Sequence, residues 1–360
     1  MLDNLYENIG SKSIMKSVYD LHVHATELDF GQTQRMLDTL WGMGTERVAL
    51  QSLTYRSIAY NIWLLYWKKH YKNMEMAVFG MVHNEDFYES IPFEIQAKAL
   101  IDMGCDGIKM MYAPNTRKRL GYGIDDERYD KMFTYLEDND IPAVIHVNDP
   151  EEFWIPRELT ESEKERGWGY FTGGFLSKQE IYDETFRMLD KHPRLRVTFA
   201  HFFFLSNFRE EAERVMETYP NVCFDLTPGW EMFLGFSRDI EGWRGFFEKY
   251  AHRIFFGTDS NNTKRFCAEL NLMVRMATAE EGEFILPAYR VEKVHGLGLD
   301  EKTLDNIWRE NYVRFVGTPK PVDTKRVFAA AERLLRDIEA LQDPNMQETA
   351  LFVRQLLLKM

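Results

Sequence analysis

Only three cysteines occur in 360 residues, Cys105, Cys223 and Cys267, and no two form a CxxC pair. That excludes a disulfide framework and a zinc ribbon, and it fits a reduced, cytoplasmic protein whose thiols are small buried hydrophobes. Long apolar runs are also missing. The longest, Ile62–Trp67, is followed at once by Lys68, Lys69 and His70, far short of the roughly 20 residues a membrane helix needs. The opening MLDNLYENIG has no basic segment ahead of an apolar one, so it does not read as a secretory signal. Positive charge is in deficit: 44 Lys and Arg against 57 Asp and Glu leave a net charge of −13. A partner held through its phosphate backbone, nucleic acid above all, is therefore not expected. Hydrophobic residues, by contrast, make up 45% of the chain and aromatics 14%, enough for a large core and unlike a disordered segment.

Short apolar runs alternate with longer amphipathic stretches. The runs are SVYDLHVHA (17–25), RVALQSL (47–53), MEMAVFGMVH (74–83), CDGIKMM (105–111), IPAVIHVN (141–148), LRVTFAH (195–201), NVCFDL (221–226) and RIFFGTD (253–259). Each is rich in β-branched or aromatic residues and ends in polar residues or Gly, the pattern of buried parallel strands. Between them lie helical patterns such as 33–44, with Gly44 as its stop, and 128–140. Eight strands alternating with helices predict a single α/β domain, a (β/α)8 TIM barrel over residues 17–317. An open doubly wound sheet is the alternative, but no GxGxxG follows the first strand.

Three regions fall outside the repeat. Residues 1–16 read as an N-terminal leader. Residues 149–178 form an insertion after the fifth strand, long and aromatic enough to expect a folded lid, with Gly167, Gly169, Gly173 and Gly174 able to let it move. Residues 318–360 form a C-terminal extension with two amphipathic helices, which either pad the barrel or make a contact in a homo-oligomer.

Histidine is scarce, with nine in the chain, yet four stand at predicted strand ends: His22 and His24 in LHVH, His146 in PAVIH and His201 in VTFAH. Asp259 closes RIFFGTD. All parallel strands of a barrel open their C-terminal ends on one face, so these five residues are expected to meet there. His22 and His24, two apart on a strand, point to the same side. Imidazoles with a carboxylate suit a divalent metal, Zn2+ foremost, with a position left for water. Asp225, ending the seventh strand, is expected to orient one of the ligand histidines. His83 ends the third strand, where a place lining the site competes with the favoured structural role; His70, His192, His252 and His295 are expected at the surface.

DLHVH, GIK, PAVIH, VTFAH and RIFFGTD, in that order, resemble the amidohydrolase superfamily of metal-dependent hydrolases, and its amidohydrolase-2 branch most, a branch that also contains non-oxidative decarboxylases. The closing NIWRENYVRFVG (306–317) resembles the usual ending of that branch. The resemblance implies His22, His24 and His146 as metal ligands. It gives Asp259 to the metal or to the proton of the metal-bound water. His201 becomes either a second-metal ligand or, as in single-metal members, the group that polarises the substrate. Lys109 in GIKMM stands where two-metal members carry a carboxylated, bridging lysine. The expected function is therefore hydrolysis of a small, carboxylated molecule by metal-activated water, with one ion expected and two as the alternative. Decarboxylation or hydration on the same ligands is the rival reaction, and a catalytically silent ligand-binding barrel the rival from another class.

Substrate clues are fewer. Arg56 after the second strand, and Arg117, Lys118 and Arg119 after the fourth, lie where a guanidinium could clamp a carboxylate; for the RKR cluster an exposed charge run competes with that reading. Trp154, with Trp168, Tyr170 and Phe171, could cover a substrate ring or fasten the insertion to the barrel.

Overall fold

The apolar runs form parallel strands. A computed structural model describes residues 16–54, 57–83, 91–262, 266–286 and 293–360, and in it the strands are β1 (Val18–His24), β2 (Thr45–Gln51), β3 (Glu75–Met81), β4 (Gly107–Tyr112), β5 (Ala143–Val147), β6 (Val197–Phe199), β7 (Val222–Asp225), β8 (Ile254–Phe255) and β9 (Ser260–Asn261). They pair in the order β8-β7-β6-β5-β4-β3-β2-β1-β9, every pair parallel. The eighth crossing is broken in two. Its first piece pairs with β7 and its second with β1, while Leu21 N–H donates to Phe256 O (3.0 Å) and Asp259 N–H to His22 O (2.9 Å). The ring therefore closes as a TIM barrel, with strand eight interrupted where the sequence pattern predicts one continuous run. Asp259 sits in that break with φ +50°, so it is a turn residue and not the last residue of a strand.

A second irregularity lies in β1. Asp20 pairs with Val48 and Val23 with Leu50, so Leu21 and His22 together oppose Ala49. This one-residue bulge turns both side chains to the same side. Leu21 joins an interior cluster with Ala49, Ala77, Phe79, Val144 and Phe255, which Tyr312, Phe315 and Val316 of the helix Asn311–Val316 complete. His22 and His24 lie beyond it, toward the strand ends.

Helices form the outer layer where apolar residues recur at helical spacing. In the helix Phe30–Gly42, Thr33, Met36, Leu37 and Leu40 form the buried stripe. Asp29 caps its start by accepting from Gln32 N–H (2.7 Å), and Gly44 at φ +79° follows its end. The helix Lys178–Lys191 begins with a reciprocal Ser177–Glu180 capping box. It ends at His192, which is buried with Nδ1 3.0 Å from Glu137 Oε2; this histidine is a packed helix terminator and not the surface residue expected. An antiparallel hairpin, β10 (Glu281–Ile285) and β11 (Lys293–Leu297), joins the layer where no strand was anticipated. Its polar alternation and the absence of a turn dipeptide between its two runs hid it from pattern reading.

The insertion is folded. It contains the short helices Glu151–Trp154, Glu161–Arg166 and Tyr170–Thr172. Trp154 Nε1–H donates to Leu176 O (3.0 Å), and its ring meets Tyr170 edge-on at 4.7 Å. Lys118 ties the segment to the barrel by donating to Gly173 O (3.1 Å). The C-terminal helices Thr324–Leu341 and Gln347–Lys359 pad the barrel, with Phe352 packed edge-on against Trp63 at 5.1 Å. Arg56 and residues 1–15 of the leader lie outside the described residues.

Candidate metal centre

Two imidazoles, two residues apart at the end of β1, meet at one point. His22 Nε2 and His24 Nε2 lie 3.0 Å apart in a buried setting. Each ring is fixed from behind. His22 Nδ1 is 2.8 Å from Asp225 Oδ2, and His24 Nδ1 is 2.8 Å from the Gln51 carbonyl oxygen. A backbone carbonyl only accepts, as does an ionised carboxylate, so both Nδ1 atoms carry the hydrogen and both Nε2 atoms present lone pairs. Asp259 Oδ1 stands 3.4 Å from His24 Nε2. Among the described residues, His22, His24 and Asp259 form a set whose ligand atoms all lie within 4.8 Å of one another. Two lone pairs and a carboxylate oxygen turned together form an acceptor cluster that a cation satisfies, and the residues fit a divalent ion. Burial, followed by the charge of Lys109, holds the pKa of His22 well below its ordinary value, which keeps it in the neutral form a ligand requires.

Asp225 holds more than one of these histidines. Besides His22, it accepts through Oδ1 from His201 N–H (2.9 Å), Thr227 N–H (3.1 Å) and the Thr227 hydroxyl. Gly257 lets the eighth crossing pass close by, since a Cβ there would stand 2.9 Å from Thr227 Cγ2 and 3.3 Å from His22 Cβ. Lys109, in the middle of β4, is fully buried, with Nζ 3.2 Å from His22 Nε2. Burial lowers its pKa to about 8.

His201 opens an unusual turn. His201, Phe202, Phe203 and Phe204 all have φ between 53° and 56°, a left-handed conformation that costs about 1–2 kcal/mol per non-glycine residue. Packing and hydrogen bonds offset that strain. Phe202 and Phe203 are fully buried, and Phe203 stacks on Phe199 at 4.1 Å. Tyr182 donates to Phe203 O (2.7 Å) and Lys178 to Phe204 O (3.2 Å). The turn sets the His201 ring 5.7 Å from that of His22 and 4.8 Å from that of His146. His201 Nδ1 lies 3.1 Å from the Thr227 carbonyl oxygen, which assigns the lone pair to Nε2. Burial pushes its pKa down to about 4.

His146 adjoins the set without entering it. Its Nε2 points at the Asn148 carbonyl (3.0 Å) and lies 3.6 Å from Asp149 Oδ1, so its lone pair is on Nδ1. Arg117, weighed as a carboxylate clamp, is instead paired in two-pronged fashion with Glu184, NH2 to Oε1 at 2.8 Å. His83 is buried beyond β3, with its backbone bonded to Gln96. Sequence reading passed over Gln51, Ser52 and Asn148, whose Oε1, Oγ and Oδ1 are buried without a hydrogen-bond partner among the described residues. Gln51 ends β2, Ser52 follows it and Asn148 follows β5, and a polar residue closing an apolar run was the available signal.

The family model described as Amidohydrolase matches residues 72–318. No curated protein matches the sequence. Among solved structures, the chain is similar to an uncharacterized TIM-barrel protein from Bordetella bronchiseptica, at 13% identity and a TM-score of 0.54, covering 84% of this chain and 99% of that one. It is also similar to the apo form of IDCase from Metarhizium anisopliae, at 13% identity and a TM-score of 0.51, over 83% of this chain and 97% of that one. A third is 4-oxalomesaconate hydratase from Rhodopseudomonas palustris, at 11% identity and a TM-score of 0.50, over 88% and 98%. Identities this low show a shared fold and nothing finer.

Proposed function

The chain belongs to the amidohydrolase family, and from that premise we propose that it is a metal-dependent hydrolase that cleaves a small, carboxylated molecule with water. The observation that carries the reading is the pair of lone pairs on His22 and His24, held 3.0 Å apart by fixed acceptors behind each ring. His22, His24 and Asp259 would hold one divalent ion, most simply Zn2+; His146, a further ligand by the family resemblance, adjoins this set with its lone pair on Nδ1. Such an ion supplies Lewis acidity and lowers the pKa of water toward roughly 7.

The chain's own groups do the rest. Asp259 takes a proton from the attacking water and returns it to the leaving group. His201 offers a lone pair at Nε2, so it accepts a hydrogen bond from water or from a substrate N–H or O–H. Polarising a carbonyl by donation would require a protonated ring, which its burial opposes. Arg56 and Trp154 are the side chains assigned to the substrate carboxylate and ring. One observation favours a second reaction on the same ligands: the Lys109 amine inside the site is a proton donor suited to a carbanion, as decarboxylation or hydration requires.

Metal content per chain, measured by mass spectrometry on protein purified without chelator and supplied with bicarbonate, tests the reading. It is combined with an assay panel comparing ester, lactone and amide cleavage with carbon dioxide release. One ion and hydrolysis agree with the proposal. Two ions make Lys109 a carboxylated bridge. Carbon dioxide release without hydrolysis selects the second reaction, and no metal after reconstitution overturns both.

A further inference from the structure

A cavity of about 380 Å3 lies at the opposite end of the barrel, between the end of the helix Tyr60–His70, the start of β3 and the 319–322 link to the C-terminal helices. β3 runs seven residues from this end toward the metal-centre face, roughly 20 Å. Four lysines line the cavity: Lys68, Lys69, Lys72 and Lys320. Lys68 is neutralised, with Nζ 2.5 Å from Asp106 Oδ2 and 2.8 Å from the Gly104 carbonyl. The lining carboxylate Glu75 is already paired with Arg47 at 3.1 Å. Among the described residues, Lys69, Lys72 and Lys320 form no ion pair. Lys72 Nζ donates to the Lys69 carbonyl, which carries no net charge, so three ammonium groups without an ion pair share one concavity in a chain of net charge −13, and like charges gathered there repel until an anion joins them.

The cavity wall is anchored to the barrel. Lys320 N–H donates to Asp106 Oδ1 (2.6 Å), and Asp323 N–H to Met103 O (3.1 Å). Gly104, at φ +108°, meets the link so closely that a Cβ would stand 2.6 Å from Pro321 O. Burial, aided by the charge of Lys68, outweighs Asp106 and holds the pKa of Lys320 below the usual amine range. The remaining lining is apolar, with Met74, Met76 and Val322 among it.

We propose that this cavity is a binding site for a small organic dianion, with its phosphate, sulfonate or carboxylate groups on Lys69, Lys72 and Lys320 and its apolar body on Met74, Met76 and Val322. The proposal does not depend on the reaction assigned to the metal centre. Occupancy would join the 319–322 link to the barrel and stabilise the docking of the C-terminal helices.

The test is calorimetric titration of the full-length metal-loaded protein with naphthalenedisulfonate, chosen because sulfonates chelate divalent metals poorly. One saturable equivalent is expected. The Lys69→Ala/Lys72→Ala/Lys320→Ala variant should weaken binding at least about tenfold, while the corresponding Lys→Arg variant retains it, since each ammonium lost removes a charge-assisted contact. His24→Ala should leave binding unchanged. Equal binding by the triple Ala variant overturns the proposal, as does loss of binding in His24→Ala, which would place the probe at the metal centre. Absence of saturable binding by the wild type, or equal affinity for uncharged naphthalene, also overturns it.

Discussion

Replacing Asp225 with Asn tests the proposed metal centre through a group outside its ligand set. The change is isosteric, so packing at this fully buried position is nearly preserved. Hydrogen bonding is not. Oδ1 already accepts from His201 N–H, Thr227 N–H and the Thr227 hydroxyl, three donors that fix which end of an asparagine must carry the oxygen. The amide NH2 then falls at the Oδ2 position, 2.8 Å from His22 Nδ1 in the wild type. There it donates where the carboxylate accepted, so the His22 hydrogen moves to Nε2 and the lone pair facing His24 is lost. Outer groups of this kind contribute about 10–100-fold to metal affinity, equivalent to about 1.4–2.7 kcal/mol. Competition titration against a chelator should show a loss in that range, and nitrogen NMR of labelled histidine should show His22 changing tautomer. Thr227→Val, which removes one donor and leaves the carboxylate, should lose much less. An Asp225→Asn protein with wild-type metal affinity and an unchanged His22 tautomer refutes the assignment of the lone pairs.

Asp259→Asn should reduce kcat by about 100-fold or more with an unchanged circular dichroism spectrum; substantial turnover by this variant removes the proton role from Asp259. His83 bears on stability: burial lowers its pKa from 6.5 to about 4, so as pH falls below 6.5 the unfolded chain takes up the proton first. The destabilisation is absent at higher pH and grows to about 3 kcal/mol as pH approaches 4; denaturant titrations at several pH values should show a shallower acid decline for His83→Gln than for the wild type. Gly104→Ala should destabilise the fold by more than about 1 kcal/mol, because its φ is +108° and the new Cβ meets Pro321 and Val322 backbone atoms; an unchanged melting temperature would show that the link yields readily.

Much of the barrel was legible because a strand buried on both faces must be a short continuous apolar run, and the eight runs occur in order. The helices between them showed as apolar stripes, as in Met36, Leu37 and Leu40. His22, His24 and Asp259 were legible for a related reason: a polar side chain ending an apolar run on parallel strands has only the common face of the barrel to occupy. The service of Asp225 to His22 followed from the same logic. What pattern reading missed depends on single-residue departures from regular pairing. No periodicity marks the extra residue of β1, the break at Asp259, or four consecutive left-handed residues in HFFF, since tertiary packing holds each against its local preference.

The sequence alone determined the fold class, the family resemblance and the residue types at the strand ends, because burial and strand direction act through side-chain pattern. The tertiary structure decided which nitrogen of each histidine carries the lone pair. It turned His146 Nε2 to the Asn148 carbonyl, engaged Arg117 with Glu184, and gathered at the far end of the barrel three lysines that form no ion pair among the described residues. Those outcomes depend on distances of a few ångströms between segments remote in the chain, and hydrogen bonds and charge pairs are set by such distances, which no order of residues specifies.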